Sequence, residues 1–467
     1  MNQREDTPIS FDKLNICENA YFWYTVNKRG DHMETIIKNY EKQFIDNLTG
    51  LRDLNGLYHD FGSADLNGLH FIYVDIDDFN KMNIIFGIDT VDDMLKNVAN
   101  TLKDYCGKSN VYRVGNDQFL LITSSHIYCE PSELQRILKQ PFKHHDIQYV
   151  INASVCIADY DDFIGDNLKQ ILNLLRITID FTKNMGRNTL IFAHQDHKKK
   201  YDLIREIENS IHYAMERKQF YPKYRPFVDT FTNEIIGFEA VSRWDLNGRT
   251  MRAHEFLEIA QWTGIIYDLE LLIFEQALMF YSELKSNKSI KLSKRFKMGI
   301  NLSEYTLITV KIQTIINLLM KYNVSAKDVI IEIKESYIKD KNVSKIVNNL
   351  YELGFVMILG DYSNASSSLT YLADLNIDVL KLSEDLLLEV NNSEEYLNMK
   401  SVYQFFVEIS KQFKLSVVST GVKNKKDLKL VRDLGVNIAT GDYFSRAIVK
   451  DEFLEFMKNN KTRKIRL

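Results

Sequence analysis

Proline is scarce, with five residues in 467, so no proline-rich spacer divides the chain. Cysteine is scarcer still. Cys17, Cys106, Cys129 and Cys156 form no Cys-x-x-Cys pair and stand far apart. The expectation is free thiols in a reducing compartment. No apolar run reaches the ~18 residues that a membrane-crossing helix needs. The opening MNQREDTPIS is polar and lacks the apolar stretch of a secretory signal. A cytoplasmic placement is expected. The formal net charge is only −4 and the pI about 6.2, which gives no electrostatic reason to expect nucleic acid or an anionic membrane as partner. Rossmann and P-loop glycine patterns are absent, and so is the Gly-x-Ser-x-Gly nucleophile turn. The ten histidines show no zinc-protease spacing.

Hydrophobic residues make up 45% and charged residues 26%, the balance of a globular protein. The length exceeds what one core serves, so two domains are expected. Residues 1–45 read as a leader, and METIIKNYEKQFIDNL (33–48) has helical spacing. LHFIYVDI (69–76) reads as a buried strand and VDDMLKNVANTLKDYC (91–106) as an amphipathic helix. NVYRV and QFLLIT (110–123) flank a tight turn, as in a hairpin. YVINASVCIA (149–158) is another strand, and LKQILNLLRITIDFTKNMG (168–186) a helix stopped at Gly186. This alternation predicts a mixed α/β sandwich.

Residues 194–219 are charged, then amphipathic. They read either as one helical connector or as a linker followed by the first helix of the second domain. From 220 onward, the strand-like runs EIIGFEAV, FKMGIN, VIIEI, FVMILGD, DVLKL, LSVVST and VNIAT alternate with helix-like ones. Repeated strand–helix units predict a (β/α) barrel, whose site lies where the strands end. Glu239, Asn301, Glu332, Asp361, Lys381 and Thr420 fall at those ends.

The first domain resembles the GGDEF family of diguanylate cyclases. The resemblance runs over 46–193 and rests on DNLTGLRDLNGL (46–57), VDIDDFNKMNIIFG (74–87), YRVGNDQF (112–119) and GRN (186–188). It implies GTP as ligand, with Asp75 as metal ligand, Asn83 and Asp92 on guanine, and Asp117 as the surviving acid of the signature turn. That turn reads Gly115-Asn116-Asp117-Gln118-Phe119. Asn116 replaces a glycine that lets backbone approach phosphate. Gln118 replaces an acid, and an amide is a weaker ligand and no base. The product-inhibition motif is also missing; its place holds Cys106-Gly107-Lys108-Ser109.

Residues 203–457 resemble the EAL family of cyclic di-GMP phosphodiesterases, a TIM-type barrel. The signature appears as Glu239-Ala240-Val241-Ser242-Arg243-Trp244. The resemblance implies Glu239, Asn301, Glu332 and Asp361 as a vestigial metal set, with magnesium or manganese as the cations such positions take and none required. It implies Lys381 as the catalytic lysine and Glu335 as the residue that steadies a mobile loop. The family's two cations share a bridging aspartate, and Gly360 stands there. Ser383, Thr420, Lys423, Thr440 and Arg225 mark further departures. Arg225 and Lys423 add positive charge at the pocket rim by family position.

The sequence therefore predicts a GGDEF-like α/β sandwich followed by an EAL-like TIM-type barrel. The boundaries are 1–45, 46–193, a linker at 194–202, 203–457, and a basic tail at 458–467. The expected role is a catalytically inactive receptor of cyclic di-GMP signalling. Cyclic di-GMP would contact Arg225, Glu239, Val241, Arg243, Asn301, Asp361 and Lys381. GTP at the first domain, a protein partner and a homodimer complete the expected partners. Two other roles stay open: a slow phosphodiesterase using one metal on Glu239, Asn301 and Glu332, and a nucleotide-independent scaffold.

Overall fold

The computed structural model describes residues 42–459, apart from 108–109, 125–130, 140, 145–146, 184–185, 363–374 and 393–395. The chain divides into two units, Met1–Leu203 and Ile204–Leu467.

The first unit is built on β1 (Arg52–Asp53), β2 (Leu69–Ile76), β3 (Val111–Arg113), β4 (Gln118–Ser124), β5 (Phe142–His144), β6 (Ile147–Tyr149), β7 (Ala153–Asp159) and β8 (Leu190–Phe192). Six of these form one sheet in the order β1-β3-β4-β2-β7-β8, and β5 pairs with β6. Strand β2 is central because its side chains are apolar on both faces. Ile72, Val74 and Ile76 join a cluster with Val91, Leu95 and Val98 of helix Ile88–Cys106. Phe71 and Tyr73 join another with Ile171, Leu175 and Ile179 of helix Leu168–Lys183. The period of two along a strand assigns these faces, and it puts Asp75 on the Phe71–Tyr73 side. The sandwich has the expected layers. The helix expected over 33–48 does not extend to 48. Ile45 pairs antiparallel with Arg52, and the Asp46 carboxylate caps a turn by accepting from Thr49 N and Oγ1 at 2.8 and 2.6 Å. Cys156 is free and buried, but Cys106 is disulfide-bonded, which corrects the expectation of free thiols. Spacing along the chain does not report which sulfurs the fold brings together.

Helix Gln195–Glu216 takes in eight of the nine residues read as a linker, 195–202. The second unit contains β9 (Phe220–Asp229), β10 (Ile235–Leu246), β11 (Arg249–Arg252), β12 (Lys297–Asn301), β13 (Val329–Lys334), β14 (Val356–Tyr362), β15 (Val379–Leu382), β16 (Ser416–Ser419) and β17 (Ile438–Ala439). The order is β11-β10-β12-β13-β14-β15-β16-β17-β9, and β9 also pairs with β10. That last pairing closes the barrel and leaves β11 outside it. Phe227, Ile236, Ile330, Ile358, Val379 and Val418 fill the inside, and a larger cluster packs the outer faces against the helices. Strand β9 runs antiparallel to both neighbours. The link from β9 to β10 is only five residues, with Asn233 left-handed at φ 58°. Such a link makes a hairpin and cannot return the chain for a parallel strand. Among the described residues no helix is long and apolar enough to cross a membrane.

Candidate functional site

The barrel strands deliver their polar residues to one cavity of about 850 Å³. Register brings Asn301, the last residue of β12, beside Glu332 of β13. Glu239 lies one strand away on β10, opposite Gly299. Lys381 comes from β15. The Lys381 ammonium donates to Glu239 Oε2 at 3.1 Å and to Glu332 Oε2 at 2.6 Å. Asn301 Nδ2 donates to Glu239 Oε1 at 2.8 Å. Glu239, Glu332 and Lys381 are at most 7% exposed, so this is a buried ion cluster.

Burial alone would neutralise both kinds of charge. For Glu239 burial acts upward, but the Lys381 ammonium, the Arg225 guanidinium and the Asn301 amide outweigh it. The carboxyl is held below its ordinary range. For Lys381 burial acts downward, and the two carboxylates outweigh it, so the amine is held charged. Gly360 explains how the cluster fits. A Cβ there would lie 2.4 Å from Glu332 Oε1, so the Glu332 carboxylate fills the room that a longer residue needs.

Two divalent cations require several anionic donors and a bridging carboxylate. Among the described residues no cluster of three or more His, Cys, Asp or Glu could hold a metal ion. Glu239 and Glu332, the acids of the expected metal set whose side chains are described, are bridged by an ammonium. The residues described do not fit a pair of cations, and no chemical step is derived through one. The side chain of Asp361 lies outside the described residues.

Arg225, Glu239, Val241, Arg243, Asn301, Glu332 and Lys381 all line the cavity. Glu335 does not; it opens a short helical turn after β13, while its neighbours Lys334 and Tyr337 line the wall. Thr420 lines the cavity, yet its hydroxyl donates to the Leu382 carbonyl at 2.8 Å. Lys423 is absent from the lining, and its ammonium pairs at 2.6 Å with Glu384, which lines the cavity. Sequence reading also missed Arg252 and Glu270, which both line the wall. Glu270 accepts from Ser303 N at 3.1 and 3.0 Å and from Ser303 Oγ at 3.0 Å. That contact fixes the turn after Asn301. Ser303 also caps the helix Glu304–Thr309. The signal was a lone acid on the apolar face of LELLIFEQAL.

In the first unit, Asp75 and Gln118 are paired across β2 and β4. Gln118 Nε2 donates to Asp75 Oδ2 at 3.1 Å. Its amide oxygen lies where a Cβ on Gly115 would come to 2.4 Å, so the turn needs its first glycine. Lys183 Nζ donates to Asp75 Oδ1 and lies 3.5 Å from Asp77 Oδ1. Asp77 accepts from Ser154 Oγ at 2.9 Å and from Asn188 N at 2.7 Å. The acid expected to ligate a metal is thus held by an ammonium and an amide. Burial first, and Asp75 second, push the Asp117 carboxyl upward. Asn83 and Asp92 lie on successive helices, Phe79–Phe86 and Ile88–Cys106. Lys183 and Asp77 escaped the sequence reading. Their signal was a lysine one heptad after Arg176 on the sheet-facing side of a helix, and a second acid two residues after Asp75.

Comparison with known families decides the identity. Residues 43–189 match the family described as diguanylate cyclase, GGDEF domain, and residues 208–447 match the EAL domain. The chain is a tandem GGDEF–EAL protein. This GGDEF–EAL protein is 27% identical over 264 residues to the "Probable cyclic di-GMP phosphodiesterase PdeB" of Escherichia coli, covering 55% of this chain and 49% of the relative. It is 21% identical over 488 residues to the "Uncharacterized protein sll1895" of Synechocystis, covering 97% of this chain and 69% of the relative. It thus spans about half of PdeB. Among solved structures, "Vibrio cholerae LapD S helix-GGDEF-EAL (bound to c-di-GMP)" shares the fold at a TM-score of 0.56 and 14% identity, covering 88% of this chain and 98% of that one.

Proposed function

We propose that this GGDEF–EAL protein is a catalytically inactive, cytoplasmic receptor that holds cyclic di-GMP in the barrel cavity without a metal. One observation carries the reading: the Lys381 ammonium bridges Glu239 and Glu332. Two bare carboxylates in that place would repel a phosphodiester. At ~4 Å and an effective dielectric constant of about 20, each would do so by roughly 4 kcal/mol. With Lys381 between them, and with Arg225 facing Glu239, the cavity floor no longer opposes an anion. Arg243 lines the wall above, and a guanidinium matches phosphate geometry as a planar fork of donors.

Further support comes from PdeB, whose name gives cyclic di-GMP as its substrate, and from the LapD structure, described as bound to c-di-GMP. The first unit enters this reading as a contact surface for a protein partner or a second copy. GTP is not part of it, because Lys183 already holds Asp75. A slow phosphodiesterase is the second reading; Glu239, Asn301, Glu332 and Lys381 all face one cavity, which favours it.

Charge reversal Arg243→Glu is expected to weaken cyclic di-GMP binding at least 100-fold, about 3 kcal/mol. Isothermal titration calorimetry checks this, with circular dichroism to confirm the fold. Unchanged affinity would place the nucleotide elsewhere.

A further inference from the structure

Three glycines stand inside the described strands of the barrel: Gly237 on β10, Gly299 on β12 and Gly360 on β14. A Cβ on Gly237 would meet the Lys297 backbone carbonyl, and one on Gly299 would meet the Phe227 ring. A Cβ on Gly360 would instead meet a charged side chain, lying 2.4 Å from Glu332 Oε1 and 3.0 Å from Glu332 Cδ and Cγ. The backbone gives no reason for glycine there. Its φ lies outside the left-handed region. The register slip against β15 between Leu359 and Tyr362 calls for glycine only where φ is positive. Glycine inside a strand weakens it and marks a close approach. Here the approach is by the Glu332 carboxylate, whose other oxygen accepts from Lys381 at 2.6 Å.

Six acids among the described residues line the cavity. Glu384 pairs with Lys423, and Glu270 accepts from Ser303. Glu258 and Asp385 stand on the helices Ala253–Trp262 and Glu384–Asn392. Glu239 and Glu332 are the pair on the strands, and Lys381 Nζ lies 3.1 and 2.6 Å from them. A hard cation needs bare carboxylates. To take these two it must displace a buried ammonium, which would be left without its counter-charges. The floor stays closed as long as Glu332 reaches Lys381. It does so by placing its carboxylate where a side chain at 360 would begin.

We propose that Gly360 is the specificity-determining residue that closes the cavity floor to divalent cations, by lacking a Cβ rather than by lacking a ligand. Any Cβ at 360 pushes the Glu332 carboxylate off Lys381. Lys381 then keeps Glu239 alone, and Glu332 turns into the cavity as a bare donor. The inference deepens the metal-free reading proposed above; its test uses no nucleotide, so the two fail separately.

Manganese alone is the probe, followed by loss of the free ion's electron paramagnetic resonance signal on binding to the whole chain. Gly360→Ala adds a Cβ and no ligand, and is expected to bind manganese at least fivefold more tightly than the unmodified protein. Adding Glu332→Gln to Gly360→Ala is expected to cancel that gain. No gain in Gly360→Ala overturns the proposal and leaves the metal-free reading standing. Tight manganese binding by the unmodified protein that Glu332→Gln abolishes overturns both. A second readout needs no metal. In urea unfolding, Lys381→Met is expected to lower the midpoint in the Gly360→Ala background by at most two-thirds of its shift in the unmodified protein, because Glu332 has already left the ammonium. An equal shift in the two backgrounds overturns the proposal, and Gly360→Ser gives the same comparison if Gly360→Ala does not fold.

Discussion

Replacing Lys381 by methionine is expected to cost about 3–5 kcal/mol of folding stability. The substitution keeps the stem but removes the ammonium that Glu239 and Glu332 share. Two carboxylates then remain buried without the ammonium between them, and Asn301 Nδ2 still donates to Glu239. Losing one partner of a buried ion pair carries that penalty, because the other charge keeps its desolvation cost without its compensation. Adding Glu239→Gln and Glu332→Gln to Lys381→Met should recover most of the loss, since amides need no counter-ion. Urea unfolding of the three proteins at neutral pH measures this. A loss below 1 kcal/mol for Lys381→Met would show that the cluster is not what holds the floor of the cavity.

Glu270 is expected to make the protein less stable as pH rises. Burial pushes its carboxyl up to about 7, although hydrogen bonds from Thr306 and Ser303 act the other way. The ordinary value is 4.5. The folded chain therefore binds an extra proton between these values, and the stability that brings is complete below the lower one and lost through the upper one. The shift corresponds to about 3 kcal/mol in full. Between roughly pH 5 and pH 8, the wild-type protein should lose about 2–3 kcal/mol more than Glu270→Gln. Urea unfolding across that range gives the difference directly. Parallel pH profiles for the two proteins would mean that Glu270 stays ionised in the fold.

The elements with strong periodicity were legible in the sequence. The run LHFIYVDI coincides with β2, and Val111–Arg113 and Gln118–Ser124 form the hairpin that the turn residues indicated. The barrel was legible from its alternating runs, and so was the gathering of Glu239, Asn301, Glu332 and Lys381 at one end. Strand β9 was not, because Pro222 and Pro226 interrupt it and proline usually argues against an interior strand. Its antiparallel course follows from a hairpin link that sequence spacing underweights. The side-chain cluster was not legible at all. Lys381 and Glu332 are 49 residues apart, Lys183 and Asp75 are 108 apart, and only the closed sheets bring them together. The same holds for Arg252, which gains its meaning from its pairing with Arg243 across a short hairpin.

The two units share one device. In each, an acid expected to ligate a metal is held by a lysine from a distant element: Asp75 by Lys183, and Glu239 and Glu332 by Lys381. An internal cation of this kind removes the need for an external one. On the proposed function, affinity for an anion is then expected to be independent of the metal supply, which is the central claim for the barrel.

Titration of the unmodified protein with cyclic di-GMP, once in excess magnesium and once in EDTA, tests that claim most directly. The account predicts binding constants within threefold of each other and no linear product in either cell. Binding that vanishes in EDTA, or cyclic di-GMP opened to its linear form when magnesium is present, would contradict it.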